Sequence, residues 1–390
     1  GDRCVIENLP PVSDINTTLD ILRSMGASVR LLNKTTAEID TAHVVGGTSP
    51  YNLASKMRAS TYLLGAELGR FGSARVGWPG GCDFVSRPID QHIKGFEALG
   101  AVEQSEGGYI CLGTDGPLHG TTIYFDVCSV GATCNIMLAS VMAEGTTILD
   151  NAAREPHIVD LANFLNTCGA EIYGAGTTTI KIKGVRELHG CEYAIIPDMI
   201  EAGTYMAAVA ATGGRLNVRN VIPKHVESIS AKLSEMGVCV EEHDDYISVS
   251  SNGHVNRTAL KTLPYPGFPT DMQPQFAALM CKAEGISTVT EGIWDNRFRY
   301  LDQLRKMGAH ATLEGKTATI VGAEQLKGAI VTSVDLRAGA ALIIAGLAAT
   351  GVTTLDDIEE TLDRGYYDIV GKLRGVGADI SRKAVSEAET

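Results

Sequence analysis

The residues best suited to chemistry lie in one stretch, Trp78-Pro79-Gly80-Gly81-Cys82-Asp83-Phe84-Val85-Ser86-Arg87-Pro88-Ile89-Asp90. Its cysteine follows a Pro-Gly-Gly turn, in which the glycines free the backbone for close approach to a ligand and the proline stiffens the flank. A thiol on such a loop is more reactive than a thiol in a core. Arg87 adds a planar guanidinium that suits a phosphate or a carboxylate. The stretch therefore predicts an active site, with a buried structural thiol as the alternative for Cys82. A Cys-His pair with His92 is a further possibility.

Other candidate residues stand where helices begin. Ser129-Val130-Gly131 has the pattern of a helix N-terminus, whose free N–H groups can bind phosphate, although a plain N-cap is the alternative. Asp198, Asp271 and Asp335 occupy matching places in later repeats, so capping is also an alternative for Asp271. Arginines at repeat junctions predict a shared anion pocket: Arg58, Arg87, Arg297, Arg337 and Arg364.

Composition narrows the function classes. A length of 390 residues favours two domains, and a net charge of −13 argues against nucleic acid as a partner. The nine cysteines show no CxxC pair and no metal-ligand spacing, so we expect no metal. The sequence has no Walker loop and no GxGxxG motif, and we expect no cofactor. Cysteines in apolar context are expected to be core residues of a reduced, cytoplasmic protein: Cys111, Cys168, Cys239 and Cys281. No apolar run reaches transmembrane length.

A repeat organises the elements that carry these residues. An apolar helix followed by a capping glycine recurs about every 70 residues. The capping glycines are Gly26, Gly100, Gly169, Gly237, Gly308 and Gly377. A second glycine opens a strand in each repeat, and the interval that contains Cys82 is the longest, which supports a functional loop there.

Helices rich in small residues alternate with the capped helices. They are predicted at Ser55–Phe71, Val130–Glu144, Met199–Gly213, Met272–Glu284 and Leu336–Thr350. The repeat is thus helix, strand, helix and two strands, which predicts α/β packing. Two three-repeat domains follow, residues 1–196 and 197–390, with a site expected between them. A sixth small-residue helix would precede Gly1, so we expect about 30 residues to be missing from the first repeat.

These motifs resemble the enolpyruvyl transferases along the whole chain. The most specific pieces are Pro79-Gly-Gly-Cys82 with Arg87-Pro88-Ile-Asp90, and Lys56-Met-Arg58-Ala-Ser60. Further matches are Ser129-Val-Gly-Ala-Thr133, Asn151-Ala-Ala-Arg-Glu-Pro156, Pro269-Thr-Asp-Met-Gln273, Asp295-Asn-Arg-Phe298 and Asp363-Arg-Gly-Tyr366. The resemblance implies two inside-out α/β barrel domains, each of three repeated units.

The resemblance also implies a reaction: transfer of the enolpyruvyl group of phosphoenolpyruvate to the 3′-hydroxyl of UDP-N-acetylglucosamine, with release of phosphate. This is the first committed step of peptidoglycan synthesis. Cys82 resembles the family's general acid, which can form an adduct with phosphoenolpyruvate, and Asp271 resembles the carboxylate that takes the hydroxyl proton. Asp271 and Ile293 would lie against the sugar. The uridine diphosphate would be held by Arg87, Pro88, Ile89, Asp90 and Gln91 with Ser129, Val130 and Gly131. Arg58, Arg87, Arg337 and Arg364 would meet substrate charge, and Arg297 would organise the pocket.

Departures from the family pattern define the alternatives. Met199 stands where the family usually has arginine, Thr361 where it usually has histidine, and the family's Lys-Asn pair belongs to the segment expected to be missing. One alternative is a transferase like enolpyruvylshikimate-phosphate synthase, which lacks the loop cysteine. Another is a UDP-sugar-binding protein with impaired catalysis.

We predict that an epoxide mimic of phosphoenolpyruvate labels Cys82 before any other cysteine, because Cys82 shares its loop with an anion-binding arginine. Peptide mapping after brief exposure measures the labelling of each thiol. Equal labelling of Cys128 or Cys134 would contradict the prediction.

Overall fold

The computed structural model describes residues 3–46, 49–80, 88–104, 106–322 and 325–383. The chain divides into two compact units, one of residues Gly1–Ile196 with Pro264–Pro266, the other of Pro197–Leu263 with Gly267–Thr390. Among the described residues, no helix has both the length and the apolar character that a membrane crossing requires.

The first unit alternates short sheets with helices. Its strands are β1 (Arg3–Glu7), β2 (Ser28–Asn33), β3 (Thr36–Asp40), β4 (Ser73–Gly77), β5 (Val102–Glu103), β6 (Tyr109–Gly113), β7 (Thr122–Tyr124), β8 (Thr146–Asp150), β9 (Glu171–Tyr173), β10 (Thr179–Lys183) and β11 (Glu192–Ala194). Its helices are α1 (Ser13–Ser24), α2 (Tyr51–Ala54), α3 (Tyr62–Phe71), α4 (Asp90–Ala98), α5 (Val130–Ser140) and α6 (Pro156–Thr167), with a 3₁₀ turn at Arg58–Thr61. The sheets have the orders β11-β1-β3-β2, β4-β6-β5 and β7-β8-β10-β9.

The second unit follows the same plan. Its strands are β12 (Gly214–Arg219), β13 (Cys239–Glu242), β14 (Tyr246–Ser251), β15 (Val255–Asn256), β16 (Ala259–Lys261), β17 (Ala283–Glu284), β18 (Ile286–Thr290), β19 (His310–Glu314), β20 (Thr317–Val321), β21 (Ile330–Thr332) and β22 (Thr354–Asp356). Its helices are α7 (Met199–Thr212), α8 (Glu227–Glu235), α9 (Gln273–Met280), α10 (Tyr300–Lys306), α11 (Leu336–Ala348) and α12 (Ile369–Gly375). 3₁₀ turns lie at Pro223–Val226, Thr270–Met272 and Leu362–Arg364. The sheet orders are β12-β14-β13, β16-β18-β20-β19, β15-β17 and β21-β22.

The predicted repeat is present in the backbone. All six capping glycines have positive φ, from 86° at Gly237 to 101° at Gly100, the conformation in which a residue without Cβ ends a helix at no steric cost. The small-residue helices are shorter than predicted. The first departs most, because Ser60 Oγ donates to the carbonyl oxygens of Ala54 (2.7 Å) and Met57 (2.8 Å) and holds a turn between α2 and α3.

The small-residue helices form the centre of each unit. In the second unit every residue of α9 is buried, and α7 and α11 bury most of theirs against it. Alanine and glycine suit these positions because they let helix backbones approach closely. The outer strands alternate buried and exposed residues, as in Thr179–Lys183 of β10. Cys168 and Cys281 are core residues as predicted and Cys111 is half-buried, whereas Cys239 is exposed, so the core prediction is wrong for Cys239.

We predict that Gly65→Ala destabilises the protein, since a Cβ at Gly65 of α3 would lie 2.2 Å from the backbone oxygen of Asn135 on α5. The expected loss of unfolding free energy is about 3 kcal/mol, the cost of overpacking a core. Urea unfolding measures it. Gly375→Ala at the end of α12 is the matched control, because its Cβ would meet no atom within 4 Å. Equal effects of the two substitutions would contradict the close approach of α3 and α5.

Candidate active site

The carboxylate of Asp271 is bound on both oxygens by arginines. Arg297 Nη2 lies 2.9 Å from Oδ1, and Arg337 donates to Oδ2 from Nη2 (3.1 Å) and Nε (3.3 Å). The Arg297 side chain is 2% exposed, while that of Asp271 remains 38% exposed. The charge-assisted contacts fix the carboxylate in one orientation, and the side chain stays partly exposed to solvent.

Asp271 differs in role from its counterparts in other repeats. Asp198 and Asp335 are N-caps, whose carboxylates accept hydrogen bonds from N–H groups of α7 and α11. Asp271 lies in the 3₁₀ turn Thr270–Met272, and Met272 occupies the N-cap position of α9. Because its side chain turns to the arginines instead, the capping interpretation is wrong for Asp271.

A network of hydrogen bonds among buried side chains positions Arg337. Its Nη1 lies 3.4 Å from the Tyr366 hydroxyl, which is 2.9 Å from Thr204 Oγ1. Gln275 Nε2 donates to Thr204 (3.2 Å) and to Tyr366 (3.4 Å). Burial alone would lower the pKa of Arg337, but the Asp271 carboxylate together with Tyr366 and Asp198 outweighs burial and raises the pKa above its ordinary value. Arg337 is therefore a permanent positive charge.

Glu291, which the sequence analysis missed, connects the Asp271 turn to Ile293. Its buried carboxylate accepts hydrogen bonds from Thr270 Oγ1 (3.0 Å), Thr262 Oγ1 (2.8 Å) and the backbone N–H of Ile293 (2.8 Å). The two predicted sugar-contacting residues are thus positioned by one side chain. An acid directly after the buried strand β18 was the available signal.

In the first unit, the start of α4 is tied to the turn before α5. Gln91 is buried and accepts from the backbone N–H of Asp126 (2.9 Å), while its Nε2 donates to Asp90 Oδ2 (3.0 Å) and Asp126 Oδ2 (3.3 Å). Ile89 is buried, whereas Pro88 is exposed. The segment 88–91 is therefore anchored through alternate side chains.

The start of α5 meets α4 at a glycine. Ser129 Oγ accepts from the N–H of Ala132 at 3.2 Å, so the plain N-cap is realised, and Val130 begins the helix. A Cβ at Gly131 would lie 2.9 Å from the His92 ring. Only glycine fits there without a shift, and the two predicted diphosphate segments are brought together.

His92 is buried behind this junction. Its Nδ1 lies 2.8 Å from Asn135 Nδ2, which also donates to the Thr61 carbonyl oxygen at 3.0 Å. Burial, with a smaller contribution from the positive charge of Arg58, lowers the pKa of His92 to about 4. The neutral ring accepts the Asn135 hydrogen bond at Nδ1. His92 is therefore a buried residue that stabilises the contact between α4 and α5.

The remaining predicted residues are the loop cysteine and three of the arginines. Cys82 and Arg87 lie outside the described residues. Arg58 is half-buried in the turn Arg58–Thr61, and Arg364 is half-buried in the turn Leu362–Arg364. Of the five arginines, the described contacts unite Arg297 and Arg337, and the larger anion pocket stays a prediction.

Two other thiols of the first unit differ from the expected behaviour of Cys82. Burial raises the pKa of Cys134 to about 12 and also raises the pKa of Cys128. Both thiols therefore stay protonated near neutral pH, which slows their alkylation.

Comparison with known proteins gives the family. Residues 1–373 match the family described as EPSP synthase (3-phosphoshikimate 1-carboxyvinyltransferase). The chain belongs to the EPSP synthase family of enolpyruvyl transferases. UDP-N-acetylglucosamine 1-carboxyvinyltransferase 3 of Caldanaerobacter subterraneus subsp. tengcongensis is 56% identical, over 97% of this chain and 90% of that protein. UDP-N-acetylglucosamine 1-carboxyvinyltransferase 2 of Clostridium acetobutylicum is 53% identical, over 98% and 90%.

Solved enolpyruvyl transferases confirm the predicted fold class. The crystal structure of the enolpyruvyl transferase NikO from Streptomyces tendae aligns with a TM-score of 0.85 at 26% identity, covering 97% of this chain and 90% of that one. EPSP synthase from Acinetobacter baumannii aligns with a TM-score of 0.73 at 19% identity, covering 97% and 90%, and supports the fold alone.

We predict that His92 makes the stability of this enolpyruvyl transferase pH-dependent. The folded pKa of about 4 lies below the ordinary 6.5, so the folded state binds fewer protons than the unfolded state. The unfolding free energy is therefore highest above pH 6.5, where the ring is neutral in both states. It should fall by up to about 3 kcal/mol as the pH is lowered toward 4. Urea unfolding at several pH values measures this.

Variants separate His92 from the carboxylates, which also titrate in that range. His92→Gln should show a smaller loss between pH 6.5 and 4 than the wild type. His254→Gln, at an exposed histidine, should keep the full loss. An NMR titration that places the His92 pKa near 6.5 would contradict the assignment.

Proposed function

We propose that the protein transfers the enolpyruvyl group of phosphoenolpyruvate to the 3′-hydroxyl of UDP-N-acetylglucosamine and releases phosphate, the first committed step of peptidoglycan synthesis. The names of its relatives, which share more than half of its residues, support this substrate pair. The observation that carries the proposal on the chain itself is the Asp271 carboxylate, which Arg297 and Arg337 orient and which remains 38% exposed.

In this proposal Asp271 accepts the proton of the sugar hydroxyl. The hydroxyl oxygen attacks C2 of phosphoenolpyruvate and Cys82 supplies a proton to C3, which gives a tetrahedral centre at C2. The bond from C2 to the phosphate oxygen then breaks as C3 returns a proton to the Cys82 thiolate, so the C2–C3 double bond of the enolpyruvyl group is restored and phosphate is released. Before substrate binds, Arg297 and Arg337 hold both oxygens of the Asp271 carboxylate. An anionic group of phosphoenolpyruvate at Arg337 would compete with Asp271 for that guanidinium and would release a carboxylate oxygen for the sugar hydroxyl.

Positively charged arginine side chains then stabilise the negative charge that develops on the substrates during the reaction. Arg337, whose pKa is raised, remains charged throughout the reaction. We assign Arg58, Arg87 and Arg364 to the same task, with Arg297 as an organiser of the carboxylate. Fixed charges oriented before the reaction stabilise a transition state without reorganisation cost.

The nucleotide is assigned to the first unit. Residues Arg87–Gln91 and Ser129–Gly131 would hold the uridine diphosphate, with Ile293 and Asp271 against the sugar. The junction of Gly131 with His92 supports this assignment, because it places the starts of α4 and α5 side by side. Backbone N–H groups at helix starts favour phosphate oxygens.

A transferase of the shikimate type is the second candidate, because the family description itself names 3-phosphoshikimate as the acceptor of that reaction. The loop cysteine Cys82 argues against it, since the resemblance gives the shikimate enzymes no reactive cysteine there. We also propose a cytoplasmic location, which rests on a composition of nine cysteines without a disulfide-framework pattern.

We predict that Asp271→Asn lowers turnover at least about 100-fold, the lower range of general-base catalysis. The amide keeps an acceptor oxygen for the arginines but does not take a proton. Phosphate release with UDP-N-acetylglucosamine and phosphoenolpyruvate measures turnover, with product mass and circular dichroism recorded in parallel.

Asp302→Asn is the matched control, because Asp302 is a 73% exposed aspartate that pairs with Arg305 on the surface of the same unit. It should change turnover less than about twofold. Wild-type turnover in Asp271→Asn would overturn the role of Asp271. Phosphate release with shikimate 3-phosphate, and none with the nucleotide sugar, would overturn the proposed acceptor.

A further inference from the structure

Three cysteines of the first unit lie together in a cluster that the proposed reaction does not use. The Sγ atoms of Cys4, Cys168 and Cys191 are all within 4.8 Å of one another, and those of Cys168 and Cys191 are 3.4 Å apart. Cys168 is buried, and Cys4 and Cys191 are half-buried. These cysteines are far apart in the sequence and do not form a spacing motif, so the sequence alone predicted no metal site here.

Separate elements position each thiol. Cys4 lies on β1 and Cys191 immediately precedes β11, and these strands pair in parallel, with the Val5 N–H donating to the Cys191 carbonyl oxygen at 2.8 Å. Cys168 is the C-cap of α6, where its N–H donates to Phe164 and Leu165. Because regular backbone hydrogen bonds fix all three positions, the cluster is organised before any ligand arrives.

The geometry suits a metal ion. An ion about 2.3 Å from each sulfur in a tetrahedral site separates the sulfurs by about 3.8 Å, which lies between the observed 3.4 Å and the 4.8 Å limit. Sulfur donors select thiophilic ions over magnesium or calcium. With a divalent ion, three thiolates give a net charge of −1, and with a monovalent ion they give −2. Because burying net charge is costly, the partial burial of the cluster favours the divalent ion.

We propose that Cys4, Cys168 and Cys191 bind a divalent thiophilic ion of the zinc class through three thiolates, with water as the fourth ligand. The partial exposure of Cys4 and Cys191 gives that water access. No electrons are exchanged: three S–H groups each release a proton to solvent as three metal–sulfur bonds form. The bound ion links β1, α6 and β11, and thus stabilises the pairing of the first strand of this unit with its last.

Protonation of the free thiols follows from their surroundings. Burial raises the pKa of Cys168 and of Cys191; the neighbouring thiols add to the effect at Cys168, whereas the hydrogen bond with Cys168 opposes it at Cys191. Without an ion, Cys168 and Cys191 therefore stay in the thiol form, which reacts slowly with peroxide. Ion binding competes with protons, so its affinity should increase with pH.

Zinc competition with a chromophoric chelator tests the proposal on the reduced, full chain. We expect one tightly bound zinc, a higher unfolding temperature with zinc and proton release on binding. Cadmium should give an ultraviolet charge-transfer band from thiolate ligands. Cys4→Ser, Cys168→Ser and Cys191→Ser should each weaken binding at least about tenfold, the lower cost of disturbing even outer-shell groups.

Cys239→Ser removes an exposed thiol elsewhere and is the matched control, which should bind zinc as the wild type does. In case a serine variant misfolds, alkylation of the wild type followed by mass spectrometry gives a second readout. Zinc should protect Cys4, Cys168 and Cys191 together. Zinc binding that survives all three substitutions, protection of other cysteines instead, or no binding by the reduced protein would overturn the proposal. A Cys168–Cys191 disulfide in place of ion binding would overturn it as well.

Discussion

The second unit depends on the charge balance between Asp271 and its two arginines. Arg297 and Arg337 are largely removed from water, and a buried guanidinium is costly unless a carboxylate faces it. Asp271 therefore stabilises the fold through the same carboxylate to which the proposed mechanism assigns the proton transfer. The fold and the proposed proton transfer both require a carboxylate at this position, so a substitution of Asp271 affects both.

The central helices converge on that balance. Thr204 from α7, Gln275 from α9 and Arg337 from α11 meet at the hydroxyl of Tyr366. Each of the three central helices thus contributes one polar side chain to a buried network around Tyr366. A shift of one helix would break contacts to the other two, which makes the arrangement cooperative.

The architecture was predictable because it depends on local signals. Capping glycines and helical periodicity located the repeats, and they required no knowledge of distant contacts. The turn at Ser60 was not predictable, since it depends on side-chain bonds to Ala54 and Met57. The same limit applies to the site: sequence alone treated Asp271 and Asp335 as equivalent helix starts, and only the three-dimensional contacts with Arg297 separate them. The burial of Glu291 and His92 was equally invisible.

The parallel pairing of β1 with β11 has a consequence for synthesis. Asn8 and Ile195, which are joined by a hydrogen bond beside this pairing, lie 187 residues apart. A ribosome that adds about 5–20 residues per second needs roughly 10–40 seconds to cover that distance. During this interval one edge of β1 has no partner, and an open strand edge is a template for pairing with another chain. The growing polypeptide thus passes through a period in which association with a neighbouring nascent chain competes with completion of its own first sheet.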